Sequence, residues 1–379
     1  MKSIKKIKNQ LISEMRQLKD RKGFIRAGLP RFGRLFGRDS LIVSWQLLNY
    51  DPEICRKTLE ILSKFQGKKF DKLREEEPGK ILHETEPKRK WHLEGYAFPY
   101  YGSVDSTPLY LILFDFYFWK TKDKKFIQKY WKNILKALDW MEKYGDIDGD
   151  GFLEYQRKTP RGRFHQGWKD WKEDPLNIQP PVAVVEAQGY QYLALKEIAR
   201  LARVIKDINL TKKLEKRARR LKIDFNKKFW MEDKKYFAFA LDGRKNQIKK
   251  ITSNSGHLLF TGICQKDKEK LIIKRLFQQD LWTPFGIRTH SSLESDFDPL
   301  DYHFGSVWPH DNWLIAQGLK KLGYKKEYQK IKKALLRAYW KLGKIPELYG
   351  VLNNQIVEIP QACHLQAWAT GALLNFLSN

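Results

Sequence analysis

Cysteine and methionine are scarce in this 379-residue chain, at three and four residues. Cys55, Cys264 and Cys363 are widely spread and odd in number, which excludes a disulfide framework and a closely spaced zinc site and fits a reducing compartment. Long apolar runs are missing too, and no stretch approaches a membrane span. The opening MKSIKKIKNQLISEMRQLKD is basic but lacks the continuous apolar segment of a signal peptide, so it reads as an amphipathic helix. No Pro- or Ser-rich linker interrupts the chain. The expectation is one cytoplasmic domain over 1–379, with residues 1–25 supplying an N-terminal helix. Acidic residues are in deficit, 44 against 72 Lys and Arg, for a net charge of +28. That sign favours nucleic acid or an anionic surface. The cations, however, fall mainly on helix faces such as Lys124, Lys125, Lys129 and Lys132 and keep away from the aromatic loops. They read as a solvated face, and neither nucleic acid nor membrane is an expected partner.

Apolar periodicity is plentiful, and it comes in two kinds that alternate. Residues 105–120 are apolar on nearly every side, as a buried helix is, whereas 124–143 carries one stripe of Ile127, Trp131, Ile134, Leu135, Leu138 and Met141. All-round apolar helices are predicted near 39–49, 105–120, 182–204, 255–263, 306–322 and 361–377. One-stripe partners are predicted near 52–66, 124–143, 210–229, 266–278 and 325–341, with 3–20 preceding the first. Six buried helices ringed by six outer ones make an all-α (α/α)6 barrel. Every long loop then leads from an outer helix into the next inner one, at one end of the barrel, and function is expected there.

Those long loops hold aromatic residues beside acids, a combination that suits sugars: rings stack on a pyranose face while Asp, Glu and Arg bind hydroxyls. The first loop ends in Gly37-Arg38-Asp39. Asp39 or Ser40 is placed to cap the first inner helix, and an Arg38–Asp39 pair at a pocket floor would hold two neighbouring hydroxyls. In the second loop Glu84 is a candidate pocket residue, and Asp105, with Pro108 following, is expected to cap a helix. In the third, Asp146, Asp148, Asp150 and Gly151 imitate the start of a calcium loop, but position twelve is Arg157 instead of Glu, so a tight turn is expected and no metal. Asp170, between Trp168 and Trp171, is a candidate general acid, because desolvation there would raise its pKa. Lys169 would oppose that rise, and Glu173 and Asp174 compete for the role. The fifth loop offers Arg288, Trp308, His303 and His310 without a metal-binding spacing, and the sixth sets Glu347 beside Pro346 as a candidate base. Asp170 precedes the third inner helix and Glu347 the sixth, so a closed ring puts them on opposite walls. Two opposed carboxyls roughly 6.5–9.5 Å apart describe an inverting glycosidase.

The ordered set GRDSLIVSW, YYGSVDSTPLY, YGDIDGDGFLEYQ, QGWKDW, SNSGHLL, GSVWPHDN, PELYG and QAWATG resembles the amylo-α-1,6-glucosidase domain of prokaryotic glycogen-debranching enzymes over about residues 26–377. That domain belongs with glucoamylases and trehalases in the six-hairpin glycosidase superfamily. The resemblance implies an (α/α)6 fold, hydrolysis with inversion and no cofactor. It implies Asp170 as general acid and Glu347 as general base, with Arg38, Asp39, Trp168, Arg288 and Trp308 around the sugar. The family often has Ser where this chain has Trp171. Relatives commonly carry an N-terminal β-rich domain, while this chain begins at the barrel, which points to a shorter α-glucoside beside branched α-glucan as substrate. Trehalase, glucosylglycerate hydrolase and glucoamylase-like activities are the alternatives on the same barrel. A sugar epimerase using His257, His303 and His310, a glycan-binding barrel and a nucleic-acid binder are those outside it.

Overall fold

The computed structural model describes residues 3–86 and 89–378, so the outermost residues of the expected domain lie outside it. Twelve helices form there: α1 (Ile4–Leu18), α2 (Gly37–Leu47), α3 (Pro52–Phe65), α4 (Ser106–Thr121), α5 (Lys124–Lys143), α6 (Val185–Val204), α7 (Ile208–Lys228), α8 (a tight turn at Ser253–His257 running into Leu258–Thr261), α9 (Lys266–Leu276), α10 (Pro309–Lys321), α11 (Lys325–Leu342) and α12 (Ala367–Ser378). The two kinds of periodicity sort them. α4 is buried at almost every position from Ser106 to Phe118, whereas α5 buries one stripe that includes Phe126, Ile134, Leu138 and Met141. The even-numbered helices pack in succession, and α12 returns to α2, closing a ring of six. The odd-numbered helices lie outside it, which is the (α/α)6 barrel.

Helix starts differ between the two ends of the ring. Four of the six outer helices start with side-chain caps: Ser3, Asp51, Asp123 and Asp207 accept N–H bonds from the first turns of α1, α3, α5 and α7, while α9 and α11 have none. Inner helices α2, α4, α6, α8 and α10 start without one, leaving their first-turn polar residues available at the mouth. Both capping expectations fail for this reason. α2 begins at Gly37, so Asp39 and Ser40 lie inside its first turn, and Asp105 precedes α4 but spends its carboxylate on Arg38 and Ser103. Gly37 is needed for close approach, since a Cβ there would stand 2.1 Å from the Leu82 carbonyl. The second loop therefore lies directly on the start of α2.

Two departures concern strands that periodicity does not reveal. Residues 361–366, expected to begin the last inner helix, form a turn and a short strand, Leu365–Gln366, that pairs antiparallel with Gly28–Leu29. Ala367 N–H then donates to Ala27 O at 2.8 Å, so the first and last loops are clasped together. After Glu347 the chain makes a hairpin, Tyr349–Leu352 with Gln355–Glu358, whose turn residues Asn353 and Asn354 both have positive φ. No described helix is long and apolar enough to cross a membrane.

Candidate active site

Arg38, in the first turn of α2, organises one wall of the mouth. Its Nε donates to Asp105 Oδ2 at 2.7 Å and its Nη2 to Gly167 O at 2.7 Å. Its Nη1 lies 3.7 Å from Asp170 Oδ2. Arg38 is thus fixed between the floor and the third loop, and one edge of it faces Asp170. The Asp170 side chain keeps about a quarter of its surface exposed. Burial nevertheless raises its pKa to about 6, against the pull of Arg163 and Arg38 and with help from Glu84 and Asp105. Desolvation was the expected cause, but the surroundings differ from those expected. Trp168 turns its ring toward His257, Trp308 and His310, and Trp171 stacks on Phe304 at 4.9 Å. Lys169, expected to oppose the shift, points away and donates to Thr289 O at 2.8 Å, its own pKa lowered by burial to about 8. The cations on Asp170 are Arg163 and Arg38. Arg163 was not singled out in sequence, and its N–H donates to the Tyr100 hydroxyl at 2.8 Å.

Glu347 lies in the loop before α12, the inner helix three places round the ring from α6. It is 2% exposed. Cys363 N–H donates to its Oε2 at 2.9 Å and Gln366 Nε2 to its Oε1 at 3.2 Å. Burial raises its pKa to about 7; bonds from Cys363 and Tyr302 and the charge of Arg31 lower it, and Asp170 raises it. Asp39 lies within electrostatic range of both. Burial lifts it to about 8, with Asp170 and Glu347 adding to the rise and Arg38 opposing it. Three carboxyls from α2 and from the loops before α6 and α12 therefore converge. Tyr302, Cys363 and Gln366 are base-side partners that periodicity could not single out, because each meets Glu347 only after the ring closes.

The remaining candidates divide. Trp168 and Trp308 are each 2% exposed and meet edge to face at 5.5 Å, with His303 stacked on Trp308 and His310 on Trp368. They form an aromatic floor instead of open stacking faces. Trp308 Nε1 donates to Tyr302 O at 2.8 Å, linking floor to base. Burial holds His303 and His310 well below the ordinary histidine range, and His257 bonds Tyr190 and Asp311. Arg288 reaches the hairpin beyond Glu347, donating to Val351 O at 2.9 Å with its guanidinium over Phe297. Its contacts are with that wall and not with Arg38 or Asp39. Glu84 lies at the mouth, held by Arg34 and by the Tyr96 hydroxyl. Glu173 pairs with Arg157 at the surface, and Asp174 accepts turn N–H groups, so neither joins the cluster.

The acidic turn of the third loop is a separate structure. Asp146 accepts N–H bonds from Gly149 and Gly151, and Lys245 reaches in from a distant turn to Asp148 at 2.7 Å, Asp150 at 3.0 Å and Glu154. A second group of possible metal ligands, His290, Glu294 and Asp296, likewise holds Lys250, 2.9 Å from Asp296. In both, a lysine ammonium sits among the carboxylates. The three cysteines are free and buried.

Known proteins bear on this arrangement. Residues 38–350 match the family described as the mannosylglycerate hydrolase MGH1-like glycoside hydrolase domain. A 93-residue stretch is 27% identical to mannosylglycerate hydrolase MGH1 of Selaginella moellendorffii and covers 24% of this chain but 19% of that relative, so the alignment spans under a fifth of its length. The solved GH63 mannosylglycerate hydrolase of Thermus thermophilus, in complexes with Tris and D-glycerate and with glucose, superposes with a TM-score of 0.76 over 98% of this chain and 100% of its own, at 14% identity. At that identity the likeness speaks for the fold. The matched family is not the debranching-enzyme domain that the motifs resemble. The two expectations share the six-hairpin barrel and glycoside hydrolysis, and these stand. Glycogen debranching and an α-glucan substrate find no support in the comparisons.

Proposed function

The chain belongs to the MGH1-like family of glycoside hydrolases, and on that premise we propose that it hydrolyses, with inversion, the bond between a hexose and a small hydroxy acid of the glycerate type. The observation that carries this reading is the charge around Asp170. A general acid stands beside the leaving group, and here Arg163 and Arg38 are the charges that act on it most strongly; the Arg163 guanidinium has its Nη2 3.5 Å from Glu94 and keeps a buried, unpaired Nε. An anionic leaving group is matched by such a wall, and a neutral glucan is not. This favours the glucosylglycerate alternative over debranching, and the name of the relatives extends it to mannosylglycerate.

In this mechanism Asp170 gives its proton to the glycosidic oxygen as the C1–O bond breaks, and the hydroxy acid leaves. Glu347 takes a proton from a water that attacks C1 from the opposite face, so hexose is released with inverted configuration. Arg38 and Asp39 hold the sugar above the Trp168–Trp308 floor, and Arg288 steadies the base-side wall. No step requires a cofactor. The active form carries its proton on Asp170 and none on Glu347. Rising pH empties Asp170 near 6 and falling pH fills Glu347 near 7, so activity should peak in a narrow band between about 6 and 7. The test is product release from mannosylglycerate, glucosylglycerate, isomaltose and panose, with the anomer identified by NMR. Release from the two glycerates with inversion is expected. Cleavage of isomaltose or panose in preference would return the debranching reading.

A further inference from the structure

His83 is a buried polar group beside Asp170 that the mechanism above leaves unused. Its backbone is held on both sides: its N–H donates to Tyr100 O at 2.7 Å, and its carbonyl accepts from Gly37 N–H at 2.8 Å. Phe36 and Tyr100 pack edge-on against its ring at 5.6 and 5.7 Å. The ring is 1% exposed, and neither nitrogen has a hydrogen-bond partner. An unpaired buried imidazole costs stability unless something else recovers it. Its Nε2 lies 3.6 Å from Asp170 Oδ2 and 3.9 Å from Glu84 Oε1, so it faces two carboxyls. Such contacts in a ligand-free site commonly tighten when substrate closes it.

We propose that His83 is a positioning residue for the acid, a neutral N–H donor that aims the Asp170 carboxyl at the leaving oxygen and receives the carboxylate left when the proton departs. The inference rests on the reading of Asp170 as the acid. Its electrostatic setting is consistent. Burial and the charges of Arg38, Arg163, Arg34 and His92 hold His83 well below its usual range, so it stays neutral while Asp170 titrates. Asp170 is faced by Arg163 and Arg38 on the cationic side and by Glu84 and Asp105 on the anionic side, and it shares the mouth with Asp39 and Glu347. A protonated imidazole there would drag the carboxyl back toward its ordinary range, whereas a neutral donor supports the anion without abolishing the acid.

Three variants and one measurement on the unaltered protein test this. His83→Phe removes the donor but keeps the aromatic packing; because Asp170 near 6 lies below Glu347 near 7, the limb of the kcat profile that follows Asp170 is the acidic one, and on a hexosylglycerate it should move up by about half a pH unit. kcat should fall about tenfold, with KM within about twofold. His83→Asn, which retains an N–H donor, should restore the limb. In the unaltered protein the His83 ring nitrogens, assigned by difference from His83→Asn, should stay neutral in ¹⁵N NMR yet shift as Asp170 titrates near 6. An unmoved limb in His83→Phe, a loss borne by KM alone, or ring nitrogens that protonate with an ordinary pKa would each overturn the inference. The NMR measurement stands even if His83→Phe does not fold. Asp170→Asn separates the two claims: activity retained there removes the acid itself, whereas an inactive Asp170→Asn with a still limb in His83→Phe removes only the role of His83.

Discussion

Two groups of carboxyls, built from the same residue types, have opposite fates in this barrel. In the third loop, Asp148, Asp150 and Glu154 close on Lys245, while Asp146 is tied down by backbone N–H groups. At the mouth, where Asp39, Asp170 and Glu347 converge, Arg38 is the cation beside both aspartates, and it is already committed to Asp105 and Gly167. The first group shares one ammonium in direct contact and serves structure. The second has arginines nearby but none closer than the 3.7 Å between Arg38 and Asp170, and burial drives its three pKa values to about 8, 6 and 7. Acid–base chemistry near neutral pH requires the second condition, and a stable turn requires the first.

The sharpest way to break this contrast is to remove the working carboxyls. Asp170→Asn and Glu347→Gln should each lower kcat by about a thousandfold with the fold intact by circular dichroism, as expected for a lost general acid or base. Substituting the clamp instead of the acid should do the reverse. Lys245→Met leaves three carboxylates facing one another, so the melting temperature should fall by the equivalent of about 3 kcal/mol, near the lower end for breaking a buried pair because the turn is partly in water, with kcat little changed. Because the lysine already fills that turn, millimolar calcium should leave the melting temperature of the unaltered protein where it is. Arg163→Met should raise KM for a hexosylglycerate about tenfold while sparing an uncharged aryl hexoside, a comparison that isolates the anion from the sugar.

A last variant tests the cost of the arrangement. Asp39 has a folded pKa of about 8 against an ordinary 3.8, so its contribution to stability is whole below about pH 4 and is lost as pH rises through 8. Asp39→Asn should therefore melt higher than the unaltered protein at pH 9 and show no gain at pH 4, while losing activity. A variant equally stable at both pH values would mean that Asp39 bears no such burden.

Much of this was legible in residue order. The alternation of all-round and one-stripe helices is enough to predict the ring, and Asp170 and Glu347 do precede its third and sixth inner helices, within electrostatic range of each other. What failed did so for one physical reason, partners distant in sequence. Asp105 reads as a cap until Arg38, 67 residues away, takes its carboxylate. The Asp146–Asp150 turn reads as a damaged calcium loop until Lys245 arrives from another turn. Lys169 reads as a brake on its neighbour because adjacency in sequence says nothing of the direction a side chain takes. Arg163 and Tyr302 lie within segments that drew attention, but only packing aims them. The two-residue strands are too short for alternation to register, although the Asn353–Asn354 pair was a usable hairpin signal.

The clasp between Gly28–Leu29 and Leu365–Gln366 has a consequence for when the enzyme becomes competent. Cys363 and Gln366, which hold the Glu347 carboxyl, belong to the stretch that docks as α12 seats between α10 and α2. On the proposed mechanism, the contacts that seal the ring are also the ones that hold the base. By the same reading, a chain whose last inner helix is undocked lacks the Cys363 and Gln366 groups that orient Glu347 and is expected to be inactive.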